Sequence, residues 1–301
     1  MTEKKTNNLN PRELLSALGL IDPKNIVKFS DRVRDREDVY SLRCRSTGII
    51  FLSDSKHVGK EYYSQKTLEP GVVKLGSELR VLPALDDTER RCQLIKTLVS
   101  GSKWLDFGCG GGALLSELKD KPKIAVGLDP DSSKSRRINT DSVDIYGSLQ
   151  ELPPQEFDIV TMFHVFEHLA DPLGELRALK KFLRSGSRLV IEVPHARDLM
   201  LAYGLSSAYK EFALWSEHLI LHTKDSITAF LQESGFRVSA IKRIQRYPLS
   251  NHLFWLLRKQ PGGHKRWKNL NCKAIEVCYS RLLAALDMTD TLYVVAIYER
   301  D

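Results

Sequence analysis

The chain has 301 residues, 42% hydrophobic and 28% charged, a composition that suits a globular enzyme able to bury one generous core or two modest ones. It contains no run of about 18 apolar residues, and residues 1–10 lack the apolar core of a secretory signal, so a cytoplasmic protein without a transmembrane helix is expected. Five cysteines with no C-x-x-C pair signal neither a disulfide framework nor a cysteine zinc site. The net charge of +7 is unevenly placed, because residues 236–275 hold ten Lys or Arg and no acid. Such a segment suits a phosphate-bearing substrate, nucleic acid, an anionic membrane face, or an ordinary solvated surface.

In chain order, Asn10 to Gly19 reads as a short helix with Asn10 as N-cap, Pro11 in the first turn and Gly19 as terminator. Short β-like runs follow at Ile26–Phe29, Val39–Arg43 and Ile49–Leu52, predicting a small β-rich module that makes residues 1–85 a first domain. Glu61, Tyr62 and Tyr63 then form either an anchor onto the rest of the chain or a lid over a substrate. Residues 86–301 read as the core domain, opened by an amphipathic helix over Asp86–Val99. Apolar runs at Ile124–Leu128, Val143–Tyr146, Phe157–Phe163 and Arg188–Val193 alternate with helical patterns at Pro130–Asn139, Leu173–Leu183 and Lys224–Ser234. Strand-like Phe236–Ile241 and Leu292–Tyr298 close the chain. With the buried strand that runs from Lys103 and ends in Asp106, these predict an α/β, Rossmann-like, seven-stranded and mostly parallel sheet with helices on both faces. Before the last strand lies a basic aromatic insert, about 246–285, with Phe254, Trp255 and Trp267 among its cations. It reads as a helical hairpin on the sheet edge or as a surface on which a base or sugar stacks.

The stretch Lys103 to Gly112, K-W-L-D-F-G-C-G-G-G, organises this core. A buried strand runs into a turn whose glycines permit positive φ and close approach of a ligand to the backbone. The helix that starts at Ala113 would point its free N–H groups at that turn. Asp129 stands 23 residues beyond Asp106, at the tip of the next strand, where a carboxylate can accept both ribose hydroxyls of a nucleoside. Gly108-Cys109-Gly110-Gly111-Gly112 lacks the G-x-G-x-x-G dinucleotide spacing.

On these residues the chain resembles the class I S-adenosylmethionine-dependent methyltransferases, whose first motif looks like L-D-x-G-C-G-x-G and whose second strand ends in an acid. Phe157-Asp158-Ile159-Val160 is similar to their fourth-strand motif, and Phe182 to Ser187 with Arg188-Leu189-Val190-Ile191 to their helix, turn and fifth strand. The resemblance covers roughly residues 86–241 and 291–298 and implies S-adenosylmethionine as cofactor. It would place Gly108 and Gly110 at the methionine end, Asp106 near the amino group, Asp129 at the ribose, and Ser148 and Leu149 beside adenine. Cys109, Pro130 and His164 would border the same cofactor. Ser148 stands where many relatives have an acid.

Two histidine clusters offer themselves for the acceptor. His164-Val165-Phe166-Glu167-His168 could, if helical, turn its polar residues one way. It is similar to the E-x-x-E-H of ubiquinone O-methyltransferases and small-RNA terminal 2′-O-methyltransferases, with His164 in place of the first glutamate. Trp215-Ser216-Glu217-His218, followed by His222, resembles the Y-H-E-H-x-x-Y of deoxysugar C-methyltransferases, of which Glu217 and His218 match. Of those relatives' N-terminal zinc cysteines only Cys44 remains. His218, Glu217 and His168 are therefore the expected catalytic residues, His195 a further acceptor-side candidate, and no metal is expected. The expected reaction is methyl transfer to a small polar acceptor, phosphate-bearing ones included, such as a sugar or nucleotide-linked sugar. The alternative is a metal-assisted RNA methyltransferase using Glu167, His168 and the basic segment.

Overall fold

In the computed structural model, which describes residues 10–58, 72–75, 78–81, 87–131 and 143–300, Asn10 caps helix α1 (Pro11–Ala17) as its composition predicts. The Asn10 side chain accepts from the Glu13 N–H and Glu13 accepts from the Asn10 N–H, both at 3.0 Å. Strands β1 (Ile26–Ser30), β2 (Ser41–Cys44) and β3 (Ile50–Leu52) then pair antiparallel in that order. A ribbon of β4 (Val72–Leu75) and β5 (Glu78–Val81), which the apolar periodicity does not announce, follows. Residues 61–63 and most of the helical pattern at 130–139 lie outside the described residues.

The second sheet is built from β6 (Lys103–Phe107), β7 (Ile124–Leu128), β8 (Asp144–Tyr146), β9 (Phe157–Phe163), β10 (Leu183–Pro194), β12 (Phe236–Ile244) and β13 (Thr291–Tyr298). Its order is β12-β13-β10-β9-β6-β7-β8, with only β13 antiparallel to its neighbours. This is the seven-stranded, mostly parallel sheet predicted. Its central strands are buried on both sides, as the alternation of side chains shows. Trp104, Ile159 and Val190 join one apolar cluster with Ile95 and Val99 of α2 (Thr88–Val99) and Leu114 and Leu115 of α3 (Ala113–Glu117). Their neighbours Leu105, Val160, Leu189 and Ile191 face the other way. They join a cluster with Leu173 and Leu176 of α4 (Pro172–Leu179) and Ile227 and Phe230 of α7 (Lys224–Glu233). Single-residue alternation thus decides which helix each strand residue meets.

After β6 the chain steps outward to β7 and β8, then returns to the opposite side of β6 with β9. The reversal opens a crevice beyond the carboxyl ends of β6 and β9, the usual place for a ligand in an open α/β sheet. Two short helices, α5 (Leu199–Ala202) and α6 (Ser207–Ala213), lead to β11 (Ile220–Leu221), which pairs with β3. The N-terminal sheet is therefore completed by a strand from the middle of the chain. The insert before β13 forms three helices, α8 (Leu249–Arg258), α9 (Gly263–Arg266) and α10 (Lys273–Ala285). Phe254 and Trp255 are turned inward, Trp255 against Tyr209 and Phe212, and the edge of Trp267 meets Phe254. Of the two readings of the insert, the packed helical one is found and the stacking one is not met at these rings: Phe254 and Trp255 hold the insert to the protein because burying about 150–250 Å² per ring outweighs leaving it in water.

Candidate active site

The turn after β6 needs glycine for two separate reasons. Gly108 has φ +78°, and a Cβ built there would stand 2.2 Å from Val165 Cγ2, so the backbone of the turn and the loop after β9 touch. Gly110 has φ +55° and open space where its Cβ would be, a cradle available to a ligand. The turn is pinned from the next strand: Leu128 O accepts from Gly108 N and Cys109 N, at 2.6 and 3.1 Å. Asp129 accepts from Gly110 N at 2.8 Å through Oδ2 and from Asp131 N at 3.0 Å through Oδ1. Among the described residues each carboxylate oxygen keeps a second lone pair for a hydroxyl donor.

Asp106 is buried one residue before the end of β6, level with Thr161 of β9. Thr161 Oγ1 donates to Asp106 Oδ1 at 2.6 Å and accepts from Trp104 Nε1 at 2.8 Å. Loss of water pushes the Asp106 carboxyl up to about 6, against the opposing Thr161 bond. Burial also raises the Cys109 thiol. Ser148, after β8, donates to Glu151 Oε1 at 2.9 Å, and Leu149 beside it is buried. A carboxylate thus stands three residues after the serine. Pro130 is exposed after Asp129.

The chain beyond β9 departs from the helical expectation. His164 has φ +54°, a strained conformation for a non-glycine residue, and only Phe166–His168 form a 3₁₀ turn. The polar groups still converge. Arg246 Nη1 donates to His164 Nε2 at 3.0 Å, which leaves the proton on Nδ1, 3.0 Å from Glu167 Oε1. Burial, with Arg246 next in effect, holds His164 well below the ordinary imidazole range, so it is neutral. Glu167 is fully enclosed and desolvation pushes its carboxyl up to about 8. Its Oε2 has no hydrogen-bond partner among the described residues.

His168 lies between two carboxyl groups, with Nε2 3.7 Å from Glu167 Oε1 and Nδ1 3.6 Å from Glu217 Oε2. The His218 ring meets His168 edge-on at 5.0 Å. The three expected catalytic residues, His168, Glu217 and His218, are therefore brought together, and Glu167 joins them. One oxygen or nitrogen from each of Glu167, His168 and His218 falls within 4.8 Å of the others, a donor set able to hold a divalent cation.

The segment carrying Glu217 and His218 is held by the connection between β1 and β2 and by the chain after β3. Arg34 N donates to Leu214 O at 2.8 Å, and the Arg34 guanidinium lies 4.3 Å from the Trp215 ring centre. Asp35 accepts from Ser216 N and Oγ, and His57 Nε2 lies 2.7 Å from Ser216 O. His222 and His195 have different surroundings. His222 is packed against Phe166 and Phe230, and burial drives it down to about 3. His195 is bonded to Thr289 O and driven by burial to about 4.

Several residues here carry no local signal. Glu192 of β10 is completely buried and accepts from both Arg90 and Arg91 of α2 at 2.8–3.0 Å. Asp290 accepts from Arg246 N, Tyr247 N and Gln245 Nε2, fastening the start of the insert to the approach to β13. The only sequence hint was polarity inside apolar runs, Thr161 in β9 and Glu192 in β10.

A family model described as a methyltransferase domain matches residues 83–241. Ribosomal protein L11 methyltransferase of Burkholderia vietnamiensis is 27% identical over 225 residues, covering 70% of this chain and 72% of that protein. The mitochondrial ubiquinone biosynthesis O-methyltransferase of Schizosaccharomyces pombe is 28% identical over 192 residues, covering 58% of this chain and 66% of its own length. Among solved structures, an S-adenosylmethionine-dependent methyltransferase from Archaeoglobus fulgidus aligns with a TM-score of 0.47 at 18% identity, covering 69% of this chain and 92% of that one.

Proposed function

Since the chain belongs to the methyltransferase domain family, with S-adenosylmethionine as methyl donor, we propose that it methylates a hydroxyl of a small polar acceptor, a sugar or nucleotide-linked sugar. The residues fit the donor. Gly110 leaves an open cradle, Asp129 keeps two lone pairs for the ribose, and Asp106 offers a carboxylate to the amino group. When bound, the donor supplies a sulfonium methyl open to in-line displacement, so acceleration comes from aligning the acceptor and receiving its proton.

The observation that carries the reading is His168 set between Glu167 and Glu217, on a loop whose Val165 touches Gly108. His168 accepts the hydroxyl proton, Glu217 orients its ring and steadies the imidazolium, and His218 packs against its edge. Glu167, pushed up to about 8 by desolvation, is held mainly protonated at neutral pH beside His164 and His168. The choice of a sugar rests on the likeness of Glu217 and His218 to the deoxysugar enzymes. The inward aromatics of the insert speak against the RNA reading, because stacking needs exposed rings.

The test is S-adenosylhomocysteine formation with nucleotide sugars, free sugars, phenols and short RNAs. His168→Gln should lower kcat by about 10²–10⁴ with little change in donor affinity, whereas Asp129→Ala should lose donor binding. Turnover by His168→Gln at wild-type rates would defeat the proton-transfer role, and turnover confined to phenols or RNA would defeat the sugar. A second reading follows from the donor set of Glu167, His168 and His218: a divalent cation there would draw Glu167 into its ionised form and activate the acceptor hydroxyl directly. Activity lost on chelation and restored by one cation would select it.

A further inference from the structure

The insert presents an outer surface that the methyl-transfer reading does not use. Helix α8 is apolar on two sides: Phe254 and Trp255 face inward, while Leu253, Leu256 and Leu257, at helical i, i+3 and i+4 spacing, are exposed. Leu257 is 71% exposed. Helix α10 packs beside it through His252 Nδ1 and Tyr279 Oη at 2.5 Å and through Leu249 N donating to Glu276 Oε2 at 3.2 Å. Of the 13 residues of α10 only Leu283 is buried, and Ile275 and Leu282 are turned to solvent. Eight of the twelve large hydrophobic side chains exposed among the described residues lie between positions 253 and 286. Seven exposed cations share the same stretch, among them Arg258, Lys259, Lys265, Arg266 and Lys268, and its one acid, Glu276, is bonded to α8.

We infer that α8 to α10 form a docking surface for an anionic phospholipid bilayer, with the leucines entering the acyl boundary and the cations at the headgroups. Exposed aliphatic side chains and exposed Lys and Arg interspersed along short amphipathic helices are the chemistry of interfacial binding. No helix among the described residues is long and apolar enough to span a membrane. A single-stranded nucleic acid would find the cations but meet leucines in place of stacking rings. A second copy would bring the same seven cations against these seven, with one acid on each side. A bilayer carrying negative headgroups satisfies both the charge and the aliphatic surface. The inference does not depend on which acceptor is methylated.

The experiment is co-sedimentation of the full chain with vesicles of phosphatidylcholine alone and of phosphatidylcholine mixed with phosphatidylglycerol, at low and high salt. Binding is expected only to the mixed vesicles and is expected to weaken with salt. Leu256→Ser/Leu257→Ser should weaken it by about tenfold or more, from the loss of two buried aliphatic groups. Lys265→Glu/Arg266→Glu should weaken it by at least about fivefold per position. All four positions are exposed, so both variants should melt at the wild-type temperature. Failure to bind the mixed vesicles, equal binding to neutral ones, or wild-type binding by the leucine variant would overturn the inference. So would RNA capture without vesicle binding, or a dimer abolished by the leucine substitutions with vesicles left unbound.

Discussion

Thr161→Val removes one hydroxyl from a fully buried site and leaves the side-chain shape nearly unchanged. That hydroxyl donates the 2.6 Å bond to Asp106, and a hydrogen bond to a charged group contributes about 1.5–3 kcal/mol. At about 1.4 kcal/mol per pH unit, losing it raises the Asp106 carboxyl by about one to two units. The starting point of about 6 becomes about 7 to 8. At pH 7 the ionised fraction falls from about nine tenths to between about one half and one tenth. If the carboxylate holds the donor's amino group, affinity for S-adenosylmethionine at pH 7 should fall about two- to tenfold. The ratio of wild-type to variant affinity should widen below pH 7 and approach one by about pH 8.5, because both carboxyls are then mostly ionised. Calorimetric titrations across that range measure it. A ratio that is the same at every pH would refute the argument, since a purely structural defect has no reason to follow the ionisation of Asp106. Stranding Trp104 Nε1 should also cost about 1–3 kcal/mol of stability, read separately by urea unfolding.

Gly108→Ala should destabilise by about 2–4 kcal/mol, combining a left-handed residue with overpacking against Val165. Adding Val165→Ala should recover about 1–2 kcal/mol of it, and strict additivity of the two substitutions in urea unfolding would contradict the contact. His222, held at about 3 in the fold, takes up no proton on moderate acidification, whereas the unfolded chain does so below about 6.5. Its contribution is therefore complete above about pH 6.5 and is lost as pH falls toward 3. His195, at about 4, acts in the same direction, while Glu167, raised to about 8, acts in the opposite one and loses its contribution as pH rises from about 4.5 through 8. His222→Leu should reduce the stability lost between pH 6.5 and 5 by about 2 kcal/mol, measured as the difference in unfolding free energy at the two values. Parallel pH profiles for the two proteins would contradict it.

What could be read along the chain was what depends on neighbours in sequence. Trp104 and Leu105, Ile159 and Val160, and Leu189 and Val190 face opposite sides of the sheet because successive strand residues must, so the strands and their double burial follow from pattern alone. The glycine turn and the acid at the next strand tip are likewise local, since positive φ at Gly108 and Gly110 is a demand on single residues. His164 shows where that method stops: spacing suited a helix through His168, but Arg246, from the distant insert, and buried Glu167 hold it in a left-handed conformation.

The two histidine clusters were legible only separately, and tertiary structure made them one. His168 meets Glu217 because β11, two residues long and without a readable period, pairs with β3 and brings residues 215–222 against the chain after β9. The aromatics of the insert carried no mark of which would be buried, because burial depends on Tyr209, Phe212 and the facing helices. Sequence by itself thus determined the sheet, the glycine turn and the acids Asp106 and Asp129 at the neighbouring strand ends, through periodicity and backbone restriction acting within a few residues. Only the tertiary structure decided the surroundings of Glu167, the pairing of Glu192 with Arg90 and Arg91, and the outward leucines of α8, because desolvation and pairing are set by groups far away along the chain.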